Sequence, residues 1–413
     1  IYLGDPRWAR QDFYKIFDGL VSDISASSRD SLNLVLLNKT DRLNMPVSEK
    51  TLGSLFPGNV LKPVGAEQNR ETILPLCFGE CFNVSPLLIS SALTDGTTNE
   101  LIYMVHDGAI ERIIEVRDNG VPLTPGVGYT VNLLNGTFQL LRAPAGTITC
   151  SVQGSTLDST YSNKIGDIIK YIVMQYGPVA SRFTLADIDE VALATFNTAN
   201  ADAVGVYLTD RENVLDVCQR LAKSVGANVV CNHLGKLKLV KLQIPGTSTS
   251  DAAIPTVIDE NNTVLESLSV AEKMPIKGTV KLGYCFNWTT QDGGMAGAVP
   301  PSSLDLFKEP WLYASQTDAL VTSAYRLDTL PVEEETLLLT RTSAEAEALR
   351  RLNLWKTPRF IYEVSTVNNH ILLEVGNAVT VSNYRYSLSN SVGVIVSIDK
   401  NWFTGETRLG VLV

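Results

Sequence analysis

Between the strand-forming runs YTVNLL and TFQLL stands Asn135-Gly136, which supplies the two positive-φ residues that a two-residue primed hairpin turn demands. Such a turn fixes an antiparallel pair on its two sides. Asp118-Asn119-Gly120, between IIEVR and VPL, repeats the signal, and APAGTITCSVQG adds another turn and strand, so a small antiparallel unit is expected to close near Gly154. Upstream, IYLGD, FYKIFDGLVSDIS and DSLNLVLLN also read as β, with Leu32, Leu34 and Leu36 on one face at period two and Pro46 ending the run.

A change of period follows. In NKIGDIIKYIVMQYGP the residues Ile165, Ile168, Ile169, Ile172 and Val173 fall at helical spacing, and Gly177-Pro178 ends the helix. Residues 209–242 predict a second helix packed on a hairpin. Thr209 and Glu212 have capping-box spacing, which starts that helix at Asp210; Val214, Cys218, Leu221 and Val225 form one apolar stripe, and Gly226 stops it. ANVVCN and KLKLVKL then flank His233-Leu234-Gly235, a three-residue connection with His233 solvated at its tip.

Residues 246–262 are polar, with Pro and Gly, and read as a connector. Beyond it, SLSVAEKMPIKGTVKLGYCFNW gives two strands around Pro275, and TTQDGGMAGAVPPSS reads as a mobile loop with little to bury. The acidic run Glu333, Glu334, Glu335 is expected to be a solvated strand end. Thr342 and Glu345 again match a capping box, for a helix whose buried side is Leu349, Leu352 and Trp355. FIYEVST, ILLEVGNAVTVS, VGVIVSID and ETRLGVLV return the chain to strands, with Thr404-Gly405 in the last turn. The expected class is mainly β with an α+β module. Two antiparallel β-barrel or sandwich domains, within 1–155 and 246–413, flank a helix-plus-hairpin α/β module at 156–245, and the second carries one capped helix.

Composition acts by exclusion. With 45% hydrophobic and 19% charged residues the chain is expected to fold, and its length of 413 residues calls for several cores. A formal net charge of −10 opposes tight binding to nucleic acid phosphates. No run of about 18 uncharged apolar residues is present, so a soluble protein is expected. The opening at Ile1 has no signal-peptide pattern. Cys77, Cys81, Cys150, Cys218, Cys231 and Cys285 lie mostly in apolar runs, the usage of buried free thiols in a cytoplasmic product.

The sequence nominates no catalytic, cofactor-binding or metal-binding residue. Cys77 and Cys81 lack a second pair or a histidine at finger-like spacing. Cys231 and His233 lack an acidic partner nearby in sequence, and His106 and His370 stand alone. His106 and Asp107, being adjacent on a strand, cannot face the same side. Glu345 and Glu347 fall on different sides of their helix, and PGVGY at 125–129 leads into a strand, so it cannot aim a helix terminus at phosphate. Serine-elbow, phosphate-loop, H-E-x-x-H and dinucleotide fingerprints are absent.

The succession of parts resembles the tail hub, or tail tip, proteins of tailed bacteriophages, a group related to the baseplate hubs of contractile tails and to type VI secretion spikes. The resemblance rests on KIFDGLVSDI followed by DRLNMPV, on LPLCFGECFNVSPLLI, on VHDGAIERIIEVRDNGVPL with GTFQLLRAPAGTITCSVQG, on the helix-hairpin ENVLDVCQRLAKSVGANVVCNHLGKLKLVKL, and on the stretch from EVGNAVTVS to the end. It implies a non-enzymatic virion protein with two tube-like β-barrels per chain. Three copies would present six barrels to a sixfold tube, forming a ring at the distal end of the tail. That ring would join the tube to a central fibre or spike, with a distal tail or tube protein and a tape-measure protein as neighbours. DNA would pass through its lumen without specific binding, and assembly would take place in the host bacterial cytoplasm. Fused hydrolase and iron–sulfur domains of some relatives have no corresponding residues here. The competing readings are a tail-associated cell-wall hydrolase, opposed by the missing motifs, and a receptor-binding tail module, which the two core helices fit less well.

Overall fold

A computed structural model describes residues 1–29, 31–55, 69–90, 101–246, 256–291, 293, 295–299, 301–327, 331–367, 370–401 and 404–413. The molecule is mainly β, as expected. Its central sheet has five strands in the order Gly205–Leu208, Leu76–Val84, Ile148–Ser155, Ile110–Asp118 and Val121–Pro122, every neighbouring pair antiparallel. A second sheet of Tyr129–Asn132, Thr137–Leu140, Leu101–Met104 and Leu87–Ser90 covers one face. Helices cover the other. Successive residues of strand 76–84 therefore serve two cores: Cys77 packs with Val116, Phe138 and Cys150, whereas Leu76 and Phe78 pack with Ile168 and Ile172 of the helix Ile165–Gln175. Burial on both faces explains why strand 148–155 reads as nearly continuous buried residues rather than as an alternation.

The turn signals separate on inspection. Asn119 and Gly120 both have positive φ, +49° and +82°, and join Asp118 to Val121 as a two-residue hairpin. Asn135-Gly136 does not. Leu133–Asn135 form a turn of 3-10 helix, Asn132 accepts from the Asn135 amide at 3.3 Å, and only Gly136 takes positive φ, so the connection has four residues. A side-chain acceptor one residue before the turn has displaced the primed geometry.

The predicted helix stripe is present: Val214, Cys218, Leu221 and Val225 are all at most 1% exposed and pack on the hairpin Ala227–Cys231/Leu237–Lys241. The predicted capping box is not. The helix spans Val214–Lys223 with Asn213 at its N-cap, because the Val47 amide donates to Glu212 and the Val214 amide to Met45, holding the preceding residues extended. In the later helix, Arg341–Trp355, the cap is Thr340, which accepts from the Ser343 amide at 3.2 Å, instead of Thr342. Helix Glu190–Ala199, capped by Asp189, has an apolar stripe too thin for periodicity to mark: Leu193 and Phe196 are buried, with the polar Asn197 beside them.

Strand Thr279–Tyr284 pairs with Leu312–Thr317 and, in parallel, with Glu333–Glu335, and helix 341–355 lies on this small sheet. The loop 289–303, expected to have little to bury, does bury Val299, and the helix Pro301–Lys308 at its end buries Phe307. The last sheet runs Thr256–Ile258, Ala378–Asn383, Leu388–Lys400, Thr407–Leu412, Phe360–Thr366 and Ser269–Lys273, with the first pair parallel. Its two edge strands are joined in sequence by 259–268, where Thr263 bridges Thr366, so the sheet curls around a core of its own, including Ile258, Val364, Val379, Ile395 and Leu409. Most of the connector read at 246–262 lies outside the described residues.

Candidate functional site

Two neighbouring features have the character of a functional surface. The first is a two-stranded ribbon, Gly19–Ser28 with Ser31–Asn38. Leu32, Leu34 and Leu36 share a face as the sequence predicts, but Leu32 is 63% and Leu34 51% exposed, and Val35 on the opposite face is 48% exposed. Strand 31–38 carries no charge and no proline, the devices that ordinarily blunt an open edge. The leucine face is therefore apolar and largely uncovered in a single chain, whereas Val35 shares its face with Asp23, Ser25 and Asn33.

The second feature is a cleft of about 1060 Å³ beneath the ribbon, with Leu34 and Leu36 on one wall, the turn after Cys231 on another, and Asp399, Glu406 and Arg408 of the last sheet on the third. His233 is not the solvated tip expected. Its Nδ1 lies 2.5 Å from Oε1 of Glu374, which also accepts from the His233 amide at 3.0 Å, and Lys238 pairs with the other carboxylate oxygen. Burial pushes the Glu374 carboxyl up, but Lys238 and the His233 amide more than offset this and hold it below the ordinary carboxylate range. The partner lies 141 residues away in sequence, which no spacing rule could find.

The remaining candidates are structural. Cys231 and His233 both line the cleft, but burial raises the Cys231 thiol to about 12, so it stays protonated rather than serving as a nucleophile. Burial likewise raises Cys150 and Cys218, and Cys77 and Cys81 are buried free thiols in one core. His106 is buried and neutral, its pKa lowered to about 4 by burial, with Nδ1 accepting the Cys77 amide at 3.0 Å. Asp107 instead meets Lys50 at 2.8 Å. At 125–129 the glycines form a turn, Gly126 donating to Tyr129 and Gly128 to Thr124. Among the described residues no group of three or more His, Cys, Asp or Glu could hold a metal ion.

Two carboxylates have functions in packing that the sequence hides. Glu347 is 5% exposed and binds Arg350 at 2.7 Å, Arg351 at 2.8 Å and Lys241 at 3.4 Å, clamping helix 341–355 to the middle hairpin. Glu334, expected to be solvated, reaches Arg351 at 2.6 Å and Lys277 at 2.5 Å.

No family model and no curated protein matches the sequence. Among solved structures, a chain in the virion of a native gene transfer agent particle matches with a TM-score of 0.53 at 11% identity, over 83% of this chain and 84% of that one. A tail protein from Neisseria meningitidis MC58 aligns at 12% identity over 82% of this chain and 91% of that one, with a TM-score of 0.33. The 43 kDa tail protein of prophage MuSo2 from Shewanella oneidensis aligns at 12% identity over 69% and 76%, with a TM-score of 0.30. The class defined by the fold is thus a multi-sheet β protein with a helical layer. Its architecture is similar to that of the gene transfer agent chain across most of both molecules.

Proposed function

We propose that this chain is a structural protein of a phage-type tail, forming a ring-shaped hub at the distal end of the tail tube. The observation that carries the reading is the shared fold with a virion chain, spanning 83% of this chain and 84% of that one. An assembly role also suits the chemistry: five of the six thiols are buried and Cys285 is partly so, His106 is neutral, and the conspicuous surface is an apolar ribbon. In this reading three copies, each with two β units, face a sixfold tube. They contact a distal tail or tube protein on one side, and a central fibre or spike with the tape-measure protein on the other. DNA passes the ring without being held, because an excess of acidic over basic residues, 44 against 34, repels phosphates within a Debye length of about 8 Å.

Gold-labelled antibody against the chain, applied to intact particles, tests the position: label at one tail end is expected, and label along the tube or on the capsid rejects the hub. Mobility shift at low salt tests the lumen. Retention of DNA that weakens steeply with added salt would reject the repulsive wall while leaving the hub in place.

A further inference from the structure

We infer that the last sheet is a hinged unit, latched against the middle hairpin by the Glu374 carboxylate, and that releasing this carboxylate opens the cleft. The inference does not depend on where the chain sits in a particle. Three chain crossings connect the sheet to the body; one leads from the middle hairpin into strand 256–258, and the other two run side by side, the Met274 amide donating to Arg359 and the Lys277 amide to Trp355, each at 2.9 Å. The sheet's buried residues form a cluster separate from the larger core of the helices and the central sheet. A unit with its own core, joined by one paired crossing and one separate connector, has the anatomy of a hinged body.

The latch lies away from the paired crossing. Glu374 sits in a short turn, its amide bound to Asn377 Oδ1 at 2.8 Å, while the next turn residue but one, Gly376, donates to Ile395 at 2.8 Å. Gly376 has φ +93°, and a Cβ there would stand 2.6 Å from Cγ1 of Val240, so the turn packs closely on a hairpin side chain. Glu374 then gathers His233 and Lys238 from the two ends of the hairpin turn, with all three side chains at most 21% exposed. Sequestered pairs of this kind hold more firmly than surface ones, and removing one partner leaves the others uncompensated. The His233 carbonyl in turn accepts the Asp18 amide at 2.8 Å, tying the same turn to the base of the ribbon. Ribbon, hairpin turn and last sheet therefore meet at one carboxylate, at the mouth of the cleft they line.

Hydrogen–deuterium exchange and small-angle scattering on the 413-residue chain test this. Glu374→Gln is expected to speed exchange about tenfold in 232–238 and 374–377 and to raise the radius of gyration, while helix 165–175 keeps its protection. Lys238→Met, which leaves the carboxylate and His233 in place, is expected to do the same to a smaller extent. Unchanged exchange and radius in Glu374→Gln overturn the latch. Equal loss of protection in helix 165–175, in either variant, overturns it too, because Glu374 would then support the whole fold rather than fasten one unit.

Discussion

The middle hairpin, 227–241, and the ribbon, 19–38, are both two-stranded antiparallel pairs with apolar strands, yet they end in opposite surroundings. Helix 214–223 covers the hairpin, burying Val229, Cys231, Leu237 and Leu239, and Gln219 reaches down to bond both the amide and the carbonyl of Val229 at 3.2 and 2.9 Å. The ribbon has no such cover, and Val21, Ile24, Leu32 and Leu34 are more than half exposed. Strand pattern thus predicts pairing; burial is decided by what lies on top, which comes from elsewhere in the chain. An isolated hairpin is marginal in water, so the ribbon is the part whose energetics an assembly would change most.

Matched leucines test the contrast most directly. Leu237, fully buried, is expected to cost about 2–5 kcal/mol on replacement by alanine, measured by urea denaturation. The hairpin is also pinned by charge through Lys241 and Glu347. Burial raises the Glu347 carboxyl, but Arg350, Lys241 and Arg351 outweigh it and bring it to about 2 from 4.5. Because the folded value is the lower one, this stabilisation is present above pH 4.5 and is lost as pH falls toward 2. It is on the order of 2–3 kcal/mol, and Glu347→Gln should flatten that limb of the stability–pH curve. A smaller effect is expected at the helix cap: Thr340→Ala costs about 1 kcal/mol, whereas Thr342→Ala stays within about 0.5, and the reverse order in thermal melts would return the cap to Thr342. Smallest of all, Leu34→Ala in the isolated chain should change stability by less than about 0.5 kcal/mol. A loss like that at Leu237 would mean the ribbon is covered in solution.

Helix 165–175 was legible because five apolar residues at one spacing all face the same core, and each of them is buried completely. Local signals failed where tertiary pairing outbid them. Thr209 and Glu212 have capping spacing, but residues 45–47 take the backbone that the box would have used. The extended connection instead leaves the cap to Asn213. Thr340 and Thr342 differ by two positions that no periodicity separates. The bonds that tie the units together, Glu374 to His233 and Glu347 to Lys241, span more than a hundred residues and leave no trace in spacing. The exposure of Leu32 and Leu34 was likewise invisible, since period two marks a face without saying what meets it.

The edge strand 205–208 is drawn from the helical half of the chain yet pairs residue for residue with 76–79, and Gly205 and Gly79 face each other where no Cβ would fit. The joint has mechanical consequences. A pull along these strands loads four ladder positions together, so the helical layer and the central sheet transmit force as one stiff body. The doubled crossing at 274–277 and 355–359 is tied by two backbone bonds and bends in preference. Strain passing between the last sheet and the body through that joint would therefore collect there and spare the central sheet.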